Sequence, residues 1–192
     1  MKRLILLGVF GILLCSFFTS NGQNSNTTFF PTVTTSVKKA VTLDQFHVSV
    51  AIVGNFAVTT YEMSFRNSEN RVLEGQLELP MAVGENVVGY QLEVNGKMRK
   101  GVVVEKEDAR QIFEEVVNRK VDPGYIEKIE GNTYRTRLYP IPANGTKKII
   151  ISTQQTLYKD NGDLIYNFPF QSNAKIPDFS LEIEIMNIKT EP

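Results

Sequence analysis

The chain has 192 residues, of which 42% are hydrophobic, 21 are lysine or arginine, 21 are aspartate or glutamate, one is histidine and one is cysteine. That length and apolar content suffice for one domain with a real core, while balanced charge leaves no positive field to gather nucleic acid or anionic lipid. A single histidine and a single cysteine exclude a zinc cluster, a Cys/His dyad and a disulfide framework.

The first segment reads as an export address. Lys2 and Arg3 precede the apolar run Leu4 to Phe18, and the chain then turns polar at Thr19-Ser20-Asn21-Gly22-Gln23. This layout predicts a secretory signal over 1–22, with cleavage near Gly22-Gln23 removing Cys15. The run is shorter than the ~20 residues a spanning helix needs, so membrane contact is expected only before cleavage. The glutamine after the signal fits a bacterial export signal. A flexible polar leader is expected over 23–35. Asn26-Thr27-Thr28 and Asn144-Gly145-Thr146 fit the glycosylation sequon and are read as chance matches in an Asn-rich chain.

From Leu43 the pattern alternates. Phe46 to Ile52 and Ala57 to Phe65 predict two strands joined at Gly54-Asn55. Val72 to Leu79 gives a third strand, ended by Pro80. Val87 to Val94 and Met98 to Val104 follow, joined by Asn95-Gly96, a dipeptide suited to a two-residue hairpin turn. The period then changes. Ala109, Ile112, Phe113, Val116 and Val117 recur at helical spacing, which predicts an amphipathic helix over about 106–119, stopped by Asp122-Pro123-Gly124. Strands resume at Tyr125 to Ile129, Thr133 to Tyr139, Lys147 to Leu157, Leu164 to Phe168 and Phe179 to Met186. The expected fold is mainly β: an antiparallel β-sandwich with one amphipathic α-helix packed on its flank.

Candidate chemistry is sparse. His47 lies in an alternating run, and no Gly-x-Ser-x-Gly elbow supports it as a catalytic base, so an ordinary strand position is expected. Glu105, Glu107, Asp108, Glu114 and Glu115 suggest paired carboxylates, but acids at a helix start are dipole partners on a solvated face, and the chain has no tryptophan platform for a sugar. Asp160-Asn161-Gly162-Asp163 is a fragment of a calcium loop without its later ligands, better read as a hairpin tip. Lys97, Arg99, Lys100 and Lys106 cluster without interleaved aromatics. Arg135 and Arg137 are two apart, so in a strand they share one face and are expected to pair with acids within the fold.

An ordered set of residues resembles the VIT domain, the vault protein/inter-alpha-trypsin module. It comprises Phe65-Arg66-Asn67, Leu79-Pro80, Lys106, Ala109-Arg110, Phe113-Glu114, Arg119 to Glu127, and Asn132 to Pro142 with its Tyr-Pro-Ile-Pro turn. The resemblance covers about 36–158 and leaves 159–192 as a C-terminal β extension or the start of a further module. It implies a non-catalytic module of the kind that usually precedes a von Willebrand factor A domain. These 192 residues hold no Asp-x-Ser-x-Ser metal motif, so no metal ligand carries over and no cofactor is expected. The expected function is an exported, non-enzymatic module, secreted, periplasmic or on the cell surface. It would bind a protein partner or an adjoining von Willebrand factor A domain, with Asp122, Tyr125, Glu127, Arg135 and Arg137 as the interaction residues. The alternatives are a carboxylate hydrolase acting on carbohydrate and a calcium-stabilised structural module using Asp160 and Asp163.

Overall fold

The computed structural model describes residues 30–104, 124–168, 170 and 175–186. The expected signal segment, most of the leader, the expected helix over 106–119 and Asp122 lie outside these residues.

Thirteen strands are described: β1 (Thr32–Thr35), β2 (Val41–Val53), β3 (Phe56–Asn67), β4 (Leu73–Pro80), β5 (Asn86–Val94), β6 (Lys97–Lys100), β7 (Val102–Val104), β8 (Tyr125–Lys128), β9 (Thr133–Ile141), β10 (Thr146–Thr156), β11 (Tyr158–Asp160), β12 (Asp163–Ile165) and β13 (Asp178–Met186). They form a five-stranded sheet ordered β1-β4-β9-β8-β7, a six-stranded sheet ordered β13-β2-β3-β10-β5-β6, and a small β11-β12 hairpin. The period-2 alternation of the sequence sets which side faces in. Phe46, Val48 and Val50 of β2, Tyr61, Met63 and Phe65 of β3, and Ile149 and Ile151 of β10 turn inward from one sheet. Leu77 and Leu79 of β4, Ile126 of β8, and Tyr134 and Leu138 of β9 turn inward from the other, and all belong to one core cluster. A polar stitch crosses that core: the Tyr90 hydroxyl bonds Thr136 Oγ1 at 2.7 Å, and Thr136 Oγ1 donates to the Tyr125 carbonyl at 2.6 Å.

The mainly β expectation and the layered core agree with the structure, but the sheets are mixed rather than purely antiparallel. β13 runs parallel to β2, from Asp178 opposite Gln45 to Met186 opposite Val53, and β7 runs parallel to β8. Alternation tells which side chains face the core and is blind to the direction of the neighbouring strand, so it could not have shown this. A second correction concerns the leader. Thr32–Thr35 pair antiparallel with β4, and Val33 packs against the core; a β-branched run at the end of a polar stretch finds a sheet edge to pair with.

The single strand expected over Met98 to Val104 is two strands on different sheets, split at Gly101. A Cβ on Gly101 would collide with the Tyr90 ring and would stand 2.6 Å from the Gly124 carbonyl oxygen. Only glycine lets the chain cross so close to both. The Asn95-Gly96 hairpin is as expected, with φ of 53° and 73°, the left-handed pair a two-residue turn requires. Asn161 and Gly162 make the same kind of turn between β11 and β12. The Tyr139–Pro140 peptide is cis and lies within β9, so the turn expected at Tyr-Pro-Ile-Pro falls after Ile141.

Candidate functional site

Alternation leaves one face of the five-stranded sheet outside the core, and that face carries charge. Glu74, Gln76 and Glu78 point outward from β4, Arg135 and Arg137 from β9, Tyr125 and Glu127 from β8, and Thr34 from β1. Register aligns Glu78 with Arg135 and Glu127 with Arg135. A concavity of about 590 Å³ opens over this face, lined by Thr34, Thr35, Ser36, Glu74, Gln76, Tyr125, Glu127, Arg135 and Arg137 among others. Four of the five residues singled out from the sequence, Tyr125, Glu127, Arg135 and Arg137, therefore come together on one surface; Asp122 lies outside the described residues.

The guanidinium groups here are pre-paired. Arg137 donates from Nε to Glu74 Oε1 at 2.6 Å and from Nη2 to Oε2 at 2.7 Å, a bidentate fork. Its guanidinium also lies 5.2 Å from the centre of the Tyr139 ring. Arg135 donates to Glu78 Oε1 at 3.1 and 3.0 Å and stands 3.9 Å from Glu127. The hydrogen bonds from Arg137 hold the Glu74 carboxyl below the usual carboxylate range. Such a carboxylate is a poor proton donor near neutral pH and a good fixed charge.

The other sequence candidates lie elsewhere. His47 faces outward from β2, and its Nε2 stands 3.1 Å from Asp178 Oδ1, both side chains being exposed. The bond from His47 is the main cause that lowers the Asp178 carboxyl, with Gln45 also donating to it at 3.0 Å. Sequence reading missed this pair, because its members are brought together only by the parallel docking of β13. Asp160 and Asp163 sit opposite each other at the hairpin tip. Among the described residues no group of three His, Cys, Asp or Glu side chains could hold a metal ion. Glu105, Glu107, Asp108, Glu114 and Glu115 lie outside the described residues. Of the basic cluster, Lys97, Arg99 and Lys100 fall on the edge strand β6.

Sequence reading also missed Glu85, which is 3% exposed. Its Oε1 accepts from the Tyr61 hydroxyl at 2.7 Å and from Thr153 Oγ1 at 2.6 Å, while Oε2 accepts from the Ala82 N–H at 3.2 Å. Asn132 donates to the Ala82 and Glu85 carbonyls at 2.6 and 2.7 Å, which ties the same loop to the start of β9. Burial, then the charge and hydrogen bond of Glu85, push the Tyr61 phenol far above its ordinary range. Nothing in Met81-Ala82-Val83-Gly84-Glu85 is periodic, so only the three-dimensional closure of the loop shows that this acid is internal.

A family model described as the vault protein inter-alpha-trypsin domain, abbreviated VIT, matches residues 43–153. Over 132 residues, 65% of this chain, the sequence is 25% identical to a von Willebrand factor A domain-containing protein of Dictyostelium discoideum. That alignment covers 14% of the relative's own length.

Proposed function

We propose, on the premise that the chain belongs to the VIT domain family, that it is an exported, non-enzymatic interaction module whose outer five-stranded face docks a protein partner or an adjoining domain. The observation that carries this reading is the gathering of Tyr125, Glu127, Arg135 and Arg137 around one concavity, with the arginines already oriented by Glu74 and Glu78. Tyrosine and arginine are the side chains that most often anchor an interface. Arginines held in place by neighbours lose less freedom on binding. A general acid must carry a proton at the working pH, and Glu74, held as an anion by Arg137, is ill suited to that role. The relative is named for a von Willebrand factor A domain, and an adjoining domain of that type is the partner this reading favours. Lys2-Arg3 and the apolar run behind them support the export part of this reading, with the mature protein in the periplasm, at the cell surface or outside the cell.

A photo-crosslinking residue at Gln76, within the concavity, tests the docking in the intact protein in its own cells, with Val83 on the exposed loop as control. Discrete adducts at Gln76 that fade when Arg137→Ala is added support the reading, as does a mature N-terminus just after Gly22. Adducts no stronger than at Val83, or hydrolysis of an oligosaccharide lost in Glu74→Gln, would overturn it.

A further inference from the structure

We infer that the outer edge of β13, which pairs with no other strand among the described residues, is a strand-docking site, and that its occupant is an extended segment of a separate protein in which apolar residues alternate with lysine or arginine. This rests on the reading above that the chain is an interaction module, and it adds a second surface on the other sheet.

Among the described residues the two sheets present four edges, and three are blunted. β1 has four residues and β7 three; β6 has four, three of them Lys97, Arg99 and Lys100. Short edges and edge lysines are the ordinary means of refusing another strand. β13 has neither. It runs nine residues, roughly 30 Å at the usual rise per residue, without lysine, arginine, proline or bulge, and all nine residues are exposed.

Its two faces differ. Phe179, Leu181, Ile183 and Ile185 form one row, and the parallel register sets Phe179, Leu181 and Ile183 beside Phe46, Val48 and Val50. Those β2 side chains are core, at 2% exposure or less, whereas Leu181, Ile183 and Ile185 are 43%, 48% and 70% exposed. The core face of the sheet thus continues onto β13, where Phe170 stacks on Phe179 at 5.4 Å between ring centres and Leu181, Ile183 and Ile185 stay open. Ser180, Glu182 and Glu184 form the opposite row, beside His47, Ser49 and Ala51 of β2, with His47 turned to Asp178. Among the described residues no cation lies within ion-pair distance of Glu182 or Glu184.

Charge chooses among occupants. A second copy pairing antiparallel about Glu182 would set Glu182 against Glu182, with acids along one whole side, and like charges directly opposite are destabilising. A strand with apolar residues beside Leu181, Ile183 and Ile185 and cations beside Glu182 and Glu184 satisfies both faces while its backbone completes the ladder.

The probe is a blocked nine-residue peptide alternating lysine with valine or isoleucine, titrated into the full mature chain by fluorescence anisotropy. Saturable binding is expected, at least tenfold tighter than for a scrambled peptide of the same composition. Binding should weaken at least tenfold in the double variant Glu182→Lys/Glu184→Lys, which should instead take a peptide alternating glutamate with valine. Both positions are exposed, and an unchanged melting temperature confirms that the variant is folded. Equal binding by the scrambled peptide or by the variant would overturn the inference, as would no binding at all. A dimer in sedimentation that Ile183→Lys dissolves would also overturn it, by naming a second copy as the occupant. Gln76 lies on the other sheet, so crosslinks there that persist while the peptide fails would sink this inference alone.

Discussion

Glu85 and Glu74 are two glutamates with hydrogen bonds of nearly equal length and opposite consequences. Glu85 is buried among donors from β3, β10 and its own loop. Glu74 makes a geometrically stronger fork to Arg137, yet its side chain is about half exposed, as is that of Arg137. Water can replace the partners of Glu74 and cannot reach those of Glu85. Distance alone therefore does not rank the two; burial does. Inside the sandwich a carboxylate ties the Met81–Glu85 loop to the core, and outside it the same group orients an arginine for display.

The comparison breaks most sharply if Glu85 is removed. Glu85→Ala leaves the Tyr61 hydroxyl, the Thr153 hydroxyl and the Ala82 N–H to find new acceptors in a dry site, a loss of about 3–5 kcal/mol. For a domain of this size that is a fall of roughly 10 °C in melting temperature. Glu85→Gln keeps the volume and one acceptor oxygen but turns an amide NH2 toward the Ala82 N–H, and should cost less than half as much. Chemical denaturation of both variants checks the ranking, and equal stability of Glu85→Ala and the parent would show the site to be wet.

A smaller effect appears at high pH. Burial, with Glu85 adding to it, raises the Tyr61 phenol, so the folded chain keeps a proton that the unfolded chain releases above about pH 10. The associated stability is present in full below that pH and is lost as pH rises beyond it, with a slope approaching 1.4 kcal/mol per pH unit, about one proton's worth. Tyr61→Phe should flatten this limb relative to the parent while costing about 1–2 kcal/mol at neutral pH for the lost bond. Urea midpoints measured from pH 8 to 11 separate the two effects.

How much of this was readable beforehand follows from the range of each cause. The β2–β3 and β5–β6 hairpins were legible, because a local dipeptide sets the turn and alternation sets the faces. The sharing of one face by Arg135 and Arg137 was legible for the same reason, and the expectation that they pair with acids inside the fold agrees with Glu74 and Glu78. Their actual partners were not, since the β4–β9 pairing joins segments some sixty residues apart. The parallel placement of β13 and the switch at Gly101 are likewise tertiary facts. A glycine after Lys-Met-Arg-Lys looks like any other until the Tyr90 ring occupies the place of its side chain.

The smallest effect tests the exposed side of the comparison. Solvent screens the Glu74–Arg137 pair, and exposed pairs contribute about 0.2–1 kcal/mol, so Arg137→Ala should barely move the denaturation midpoint at neutral pH. Because Arg137 holds the Glu74 carboxyl low, what the pair does contribute is present above the unfolded pKa of about 4.3 and fades as pH falls through the lower folded value. A double-mutant cycle with Glu74→Ala should therefore give a small coupling at pH 7, a smaller one in 1 M salt, where the Debye length is only about 3 Å, and almost none at pH 2. Coupling as large as the Glu85 loss would mean that the outer face is dry in solution, which is the condition expected only when a partner covers it.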